Sequence, residues 1–375
     1  MGFKDFIFEY LQLRKLNKLD PSEKNLIFYS ESENQWDFYE EIILQLIKKK
    51  INICYVTSSK KEYLRRKNYK NFKKFYIGSG ITRTIFFSTI NTKVLVMSLP
   101  DLNTFHIKRS KYPVHYIFVP HNLLSTHMIF RRNAFDNYDS FFSSGEHQNN
   151  EIRESEILYK TKKKELLNFG CSRLDKIIYM HKNHKKESKD ISVLISPSWG
   201  KNGLLESGAE NLVENLLKEK ITVILRPHPD TLRLKPNCVK NLLYKYNKNK
   251  YLIYKPDVSS LDDYFKVDLM ISDWSGSAYE FAFGTLKPVI FVDVPKKVNN
   301  PEYIKFKNKP IEIELRNKIG VLIKLKNTER VSKVINKMVS EKKQWREKIF
   351  KIRKKLFFNV EKSGITGANF ILKKL

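Results

Sequence analysis

The chain has 375 residues, 41% of them hydrophobic, which is too long for one ordinary compact domain and enough for two cored halves. Seventy Lys and Arg against 40 Asp and Glu leave a formal charge of +30. Beyond background lysine usage, that excess suits phosphate-rich substrates, an anionic membrane surface or nucleic acid. Cys54, Cys171 and Cys238 are far apart and odd in number, and no CxxC pair exists, which excludes a disulfide framework and gives no zinc signature.

Charges interrupt the N-terminal Met1 to Tyr10 every few residues, so it does not read as a signal peptide. No apolar run approaches the ~20 residues of a membrane span. The expectation is a cytoplasmic protein, free or peripheral on the inner face of the cell membrane. Leu26 to Tyr29 is the first clear strand, followed by a helical stretch with Trp36, Tyr39, Ile43 and Leu46 on one face, then a strand over Ile51 to Val56. This strand–helix–strand order predicts a parallel sheet. Further strands are expected at Lys93 to Met97 and Tyr116 to Val119. The polar, aperiodic stretch from His181 to Asp190 reads as a linker. The alternation restarts with strands at Val193 to Ile195, Thr222 to Leu225, Leu252 to Tyr254, Asp268 to Ile271 and Val289 to Val292, and a helix near Ala209 to Leu217.

The predicted organisation is α/β: residues 1–180 and 191–340 as two Rossmann-like, doubly wound domains facing a cleft, a GT-B-like architecture. Residues 181–190 link them, and 341–375 form C-terminal helices packing back on the first domain. Ligands of such sheets sit beyond the carboxyl ends of the strands. His121 follows one strand, and an imidazole there can accept a proton near neutrality, although it reads equally as a loop histidine with a structural hydrogen bond. Arg226-Pro227-His228-Pro229 ends another strand; its prolines hold His228 stiffly, which suits a phosphate contact or proton donation to a leaving phosphate better than a mere strand-stopping turn. Ser272-Asp273-Trp274-Ser275-Gly276-Ser277 runs from a buried strand into a helix start, an anion site in which Asp273 or Ser275 can also act as the cap. Ser196-Pro197-Ser198-Trp199-Gly200 lets a ligand approach the backbone. No Walker or GxGxxG motif and no Asp-X-Asp pair is present, so neither a cofactor nor a metal is expected.

Phe28-Tyr29-Ser30-Glu31, Pro120-His121, Gly170 to Asp175, Ser196 to Trp199, Arg226 to Pro229 and Ser272 to Gly276 occur in this order. Together they resemble the CDP-glycerol glycerophosphotransferase family of teichoic-acid and capsule polymer synthesis, over roughly residues 25 to 370. The resemblance implies His121 as general base and His228 at the donor phosphate. Donor-side candidates are Ser198, Arg226, Asp273, Ser275, Ser277 and Glu280; acceptor-side candidates are Glu31, His127 and Arg131. The implied partners are CDP-glycerol or another nucleotide-activated donor and a glycan or lipid-linked acceptor. The sequence departs from the family's pattern at Asn122, Ser172, Trp274 and Gly276, and sugar transfer from a nucleotide sugar stays open as an alternative. A non-catalytic nucleic-acid or membrane binder is the remote alternative, and no nucleic-acid motif is visible, so nucleic acid is not expected as a partner. Between Glu341 and Phe357, Trp345, Ile349, Ile352 and Leu356 make an apolar stripe beside lysines. That stripe either docks on an anionic membrane or packs back across the fold.

Overall fold

The computed structural model describes residues 3–66, 68–104, 106–184, 190–258 and 260–375. Among these residues, thirteen strands form two sheets. The first contains β1 (Leu26–Ser30), β2 (Ile53–Thr57), β3 (Phe72–Tyr76), β4 (Val94–Met97), β5 (His115–Phe118), β6 (Ser140–Ser143) and β7 (Glu165–Asn168), in the order β3-β2-β1-β4-β5-β6-β7. The second contains β8 (Ser192–Ile195), β9 (Thr222–Leu225), β10 (Leu252–Tyr254), β11 (Leu269–Ser272), β12 (Val289–Asp293) and β13 (Gly320–Lys324), in the order β10-β9-β8-β11-β12-β13. Every pairing is parallel. Most strands are therefore short, continuous apolar runs, buried on both faces by helices. In each sheet the order reverses once, between β1 and β4 and between β8 and β11, and a crevice opens beyond the strand ends at such a point.

The helix Trp36–Lys48 buries Trp36, Tyr39, Ile42, Ile43 and Leu46, the face expected from its periodicity. Four strands escaped the sequence reading. β3 is an edge strand whose alternation is broken by Lys73 and Lys74, β6 is only Ser-Phe-Phe-Ser, and β7 and β13 are half-exposed edges.

The expected linker begins too early. His181 and Lys182 form the last turn of the helix Ser172–Lys182, and the His181 and His184 rings lie 6.0 and 5.0 Å from that of Phe265. Residues 185–189 of that linker lie outside the described residues. The C-terminal stripe is likewise spoken for. Ile349 is fully buried, and Trp345, Ile352 and Leu356 pack on the core formed largely by the second sheet and its helices. Its apolar face is therefore not available to a membrane. The final helix, Ser363–Leu372, packs against Trp36–Lys48 of the first half.

Candidate active site

Between the two halves lies a cleft of about 580 Å³ lined from both sides. On the first half, β5 ends at Phe118 and the chain turns through Pro120 to present His121. Its Nδ1 lies 3.1 Å from the Ser98 carbonyl oxygen, which can only accept, so Nδ1 carries the proton and Nε2 holds a free lone pair. Phe38, Phe118 and Phe130 surround the ring at centroid distances of 5.9, 6.3 and 5.2 Å. Burial among them lowers the imidazole's pKa, and the Ser98 hydrogen bond opposes the shift. His121 is thus a neutral proton acceptor.

On the second half, β9 ends in Arg226-Pro227-His228-Pro229. Being followed by proline holds His228 extended at φ −64°, ψ 143°. Its Nδ1 accepts the Asp230 backbone N–H at 3.1 Å, which leaves Nε2–H as a donor. Burial, reinforced by Lys297, lowers its pKa to about 4. Lys297 lies over the Trp199 ring at 4.2 Å, and burial lowers its own pKa as well.

The helix Gly276–Thr285 starts at the cleft and is capped by Ser275, whose Oγ accepts the Ser277 N–H at 3.4 Å. Capping leaves the hydroxyls available. Ser275 and Ser277 Oγ lie 2.8 Å apart, and Ser196 Oγ is 3.3 Å from that of Ser277. Three hydroxyls beside a helix N-terminus, with Lys297 and the His228 N–H lining the same cleft, gather donors and positive charge that can bind an anion.

Arg173 ties the walls together. It donates to Asp37 at 2.6 Å on the first half and to Glu280 at 3.0 Å on the second. Behind it, Ile177 packs so closely on the helix Gly276–Thr285 that a Cβ on Gly284 would lie 2.2 Å from its Cγ2. That contact admits only glycine.

Among the sequence candidates, His121, His228, Ser198, Arg226, Ser275, Ser277 and Glu280 all line the cleft. Arg226 is largely committed to the Ser260 carbonyl at 2.9 Å and the Tyr264 ring, and Glu280 to Arg173. Four other candidates need correction. Asp273 is fully buried, and its two carboxylate oxygens accept the N–H groups of Ser198 and Leu204 at 2.6 and 2.9 Å. It shapes the loop after β8 and does not face the cleft. His127 is buried 3.3 Å from Glu151 and stacks on Phe306 at 4.6 Å, bracing the joint between the halves. Glu31 pairs with Arg83 at 2.8 Å and Arg131 with Asp101 at 2.6 Å, both outside the cleft lining.

Sequence reasoning missed Arg173, Lys297, Asn122 and Glu312 as lining residues, and read Ser196 only as part of the stretch to Gly200 that a ligand approaches. Nothing in the sequence marked Lys297: its loop follows β12, and only the strand order sets β12 beside β11. Among the described residues, no group of three or more His, Cys, Asp or Glu side chains is gathered to hold a metal ion.

A sequence model described as CDP-glycerol:poly(glycerophosphate) glycerophosphotransferase matches residues 21–297, which take in every one of these cleft motifs. The chain belongs to that family. It is accordingly an enzyme of the glycerophosphotransferase class. No individually curated protein matches it. Among solved structures, the UDP-GlcNAc 2-epimerase of Neisseria meningitidis bound to UDP-GlcNAc is 13% identical, with a TM-score of 0.58 over 93% of this chain and 98% of its own. The epimerase of Methanocaldococcus jannaschii in complex with UDP-GlcNAc and UDP is 16% identical, with a TM-score of 0.56 over 93% and 98%. At these identities the likeness concerns the fold, that of GT-B enzymes with two Rossmann-like halves.

Proposed function

We propose that the glycerophosphotransferase moves glycerol phosphate from CDP-glycerol to a hydroxyl of a saccharide or lipid-linked acceptor, releasing CMP, in the synthesis of a capsule or teichoic-acid-like polymer. The observation that supports this reading is one cleft holding both a neutral imidazole with a free acceptor nitrogen and a helix N-terminus ringed by hydroxyls and a lysine.

The chemistry follows from the lining. The acceptor's hydroxyl oxygen forms a bond to the β-phosphorus, and its proton passes to Nε2 of His121. The bond from the β-phosphorus to the bridging oxygen breaks, and its electron pair leaves on CMP. Ser275, Ser277, the first N–H groups of the helix, Lys297 and the Nε2–H of His228 hold the diphosphate and take up charge as it moves to the leaving group. Arg173 and Gly284 set the spacing between base and phosphate site. Little covalent work is left to the protein, so positioning and electrostatics supply the catalysis.

Incubating the protein with labelled CDP-glycerol, and separately with nucleotide sugars, tests this. CMP release coupled to acceptor labelling is the expected result. The departures at Trp274 and Gly276 favour one rival, transfer of a sugar from a nucleotide sugar. Release of a nucleoside diphosphate from a nucleotide sugar, with no CMP from CDP-glycerol, would replace the proposal by that rival.

A further inference from the structure

The helix Phe3–Asn17 buries a mixed face and leaves an apolar one in solvent. Its inward face buries Glu9 and Gln12 beside Leu13 and Leu16. Its outward face carries Phe6, Ile7, Tyr10 and Leu11, between 36% and 47% exposed. Steps of one, three and four residues put these four on one side of the helix. The rotation is fixed by the fit of Glu9. Gly78, at φ +60°, has no side chain, and a Cβ there would lie 2.0 Å from Glu9 Oε1. The buried carboxyl is pushed up in pKa by desolvation and lies beside Thr82 and Tyr76. The fit of Glu9 and the burial of Leu13 and Leu16 together hold the helix so that these four apolar side chains stay outside.

Flanking elements extend the surface. The helix Lys60–Arg65, joined through Lys60 to Asp5 at 3.2 Å, exposes Leu64, and the helix Ile81–Thr89 exposes Ile81. Exposed cations rim it on the same helix and just beyond: Lys4, Arg14, Lys15 and Lys18. We propose that this face is where the protein lies on an anionic lipid bilayer. Aromatic and aliphatic side chains with a cationic rim match an interfacial helix whose apolar face enters the headgroup boundary while the cations meet lipid phosphates. No helix among the described residues is long and apolar enough to cross a membrane, so the contact is with the surface. A second copy of the chain would bring like charges together. The helix packs on β3 and on Ile81–Thr89, in the half that presents His121. The inference is independent of the donor's identity.

Sedimentation of the full chain with vesicles tests it, using phosphatidylcholine alone or mixed with phosphatidylglycerol. The protein should pellet with the anionic vesicles and stay in solution with the neutral ones. Phe6→Ser/Ile7→Ser/Tyr10→Ser/Leu11→Ser should weaken vesicle binding by about tenfold or more, with an unchanged melting transition. The single exposed change Leu11→Glu should weaken it in the same direction. Lys348→Gln/Lys351→Gln/Lys354→Gln/Lys355→Gln, on the C-terminal helix, should bind like the parent. Undiminished binding by the serine variant and by Leu11→Glu overturns the proposal, as does equal binding to neutral and anionic vesicles. A dimer that the serine changes disperse, without vesicle binding, overturns it in favour of a second copy.

Discussion

The two walls of the cleft use the same side chain in opposite senses. His121 gives its Nδ1 proton to the Ser98 carbonyl and turns a lone pair to the cleft. His228 takes the Asp230 N–H at Nδ1 and so keeps its proton on Nε2. Burial holds both imidazoles neutral at pH 7. The difference therefore lies in one backbone atom, a carbonyl in one case and an N–H in the other. The backbone assigns an acceptor to the first half and a donor to the second.

That division is broken most directly at His121. His121→Ala should lower turnover by ~10²-fold or more, the size expected for loss of a general base. CMP affinity by calorimetry and the melting curve should stay as in the parent. Near-parental turnover would remove His121 from the mechanism. On the opposite wall, His228→Ala and Lys297→Met each remove one contact to a charged phosphate, worth about tenfold to a hundredfold in affinity. That loss should appear in CMP binding and in KM for the donor. If His121→Ala weakens CMP binding as His228→Ala does, the two walls do not divide the work.

Much of the site was legible because parallel sheets put their chemistry at strand ends. His121, Arg226-Pro227-His228 and Ser275-Gly276-Ser277 each follow an apolar run, and the halves could be separated by the restart of that alternation. What stayed hidden depends on strand order, which periodicity does not encode. Lys297 reaches the cleft because β12 pairs with β11, and Ser196 joins Ser275 and Ser277 because β8 is on the other side of β11. Arg173 reads from sequence as a helix residue and becomes a tie only when Asp37 and Glu280 are brought to it. Asp273, His127, Glu31 and Arg131 misled for the converse reason: polar residues near strand ends also satisfy backbone groups and brace joints. The C-terminal stripe read either as a membrane contact or as packing across the fold, and the fold buries it. The exposed apolar face of the N-terminal helix shows only once Glu9 is found against Gly78.

Asp273 offers a middle-sized test of that distinction. Asp273→Asn keeps the shape but replaces one acceptor oxygen by an NH₂ group, so either the Ser198 or the Leu204 N–H loses its partner. An unsatisfied buried N–H costs about 1–3 kcal/mol, and chemical denaturation should show a loss of that order. Donor affinity should then fall only as far as the loop after β8 loosens. Unchanged stability with a large loss of CMP binding would mean that Asp273 touches the donor after all.

The smallest expected effect is in the pH profile, where the sign follows from burial. His121 has its pKa depressed below the ordinary 6.5, so the neutral base persists as the pH falls to that value. kcat/KM should rise with pH through the depressed pKa and then run flat across neutrality. Protonating His228, whose pKa lies at about 4, would add positive charge beside the diphosphate, whereas protonating His121 removes the base, so an acid limb that follows the surroundings of His121 reports His121. Phe38 is the ring to remove, because its centroid lies 5.9 Å from that of His121 and it lines the cleft. Phe38→Ala admits water to the imidazole and relieves part of the desolvation that depresses it. The acid limb should move up by a fraction of a pH unit while the plateau keeps its shape. An acid limb above pH 7 in the parent enzyme, or one that moves down in Phe38→Ala, would place the titrating group elsewhere. The neutral-acceptor assignment of the first wall would then fail, even if the donor role of the second survived.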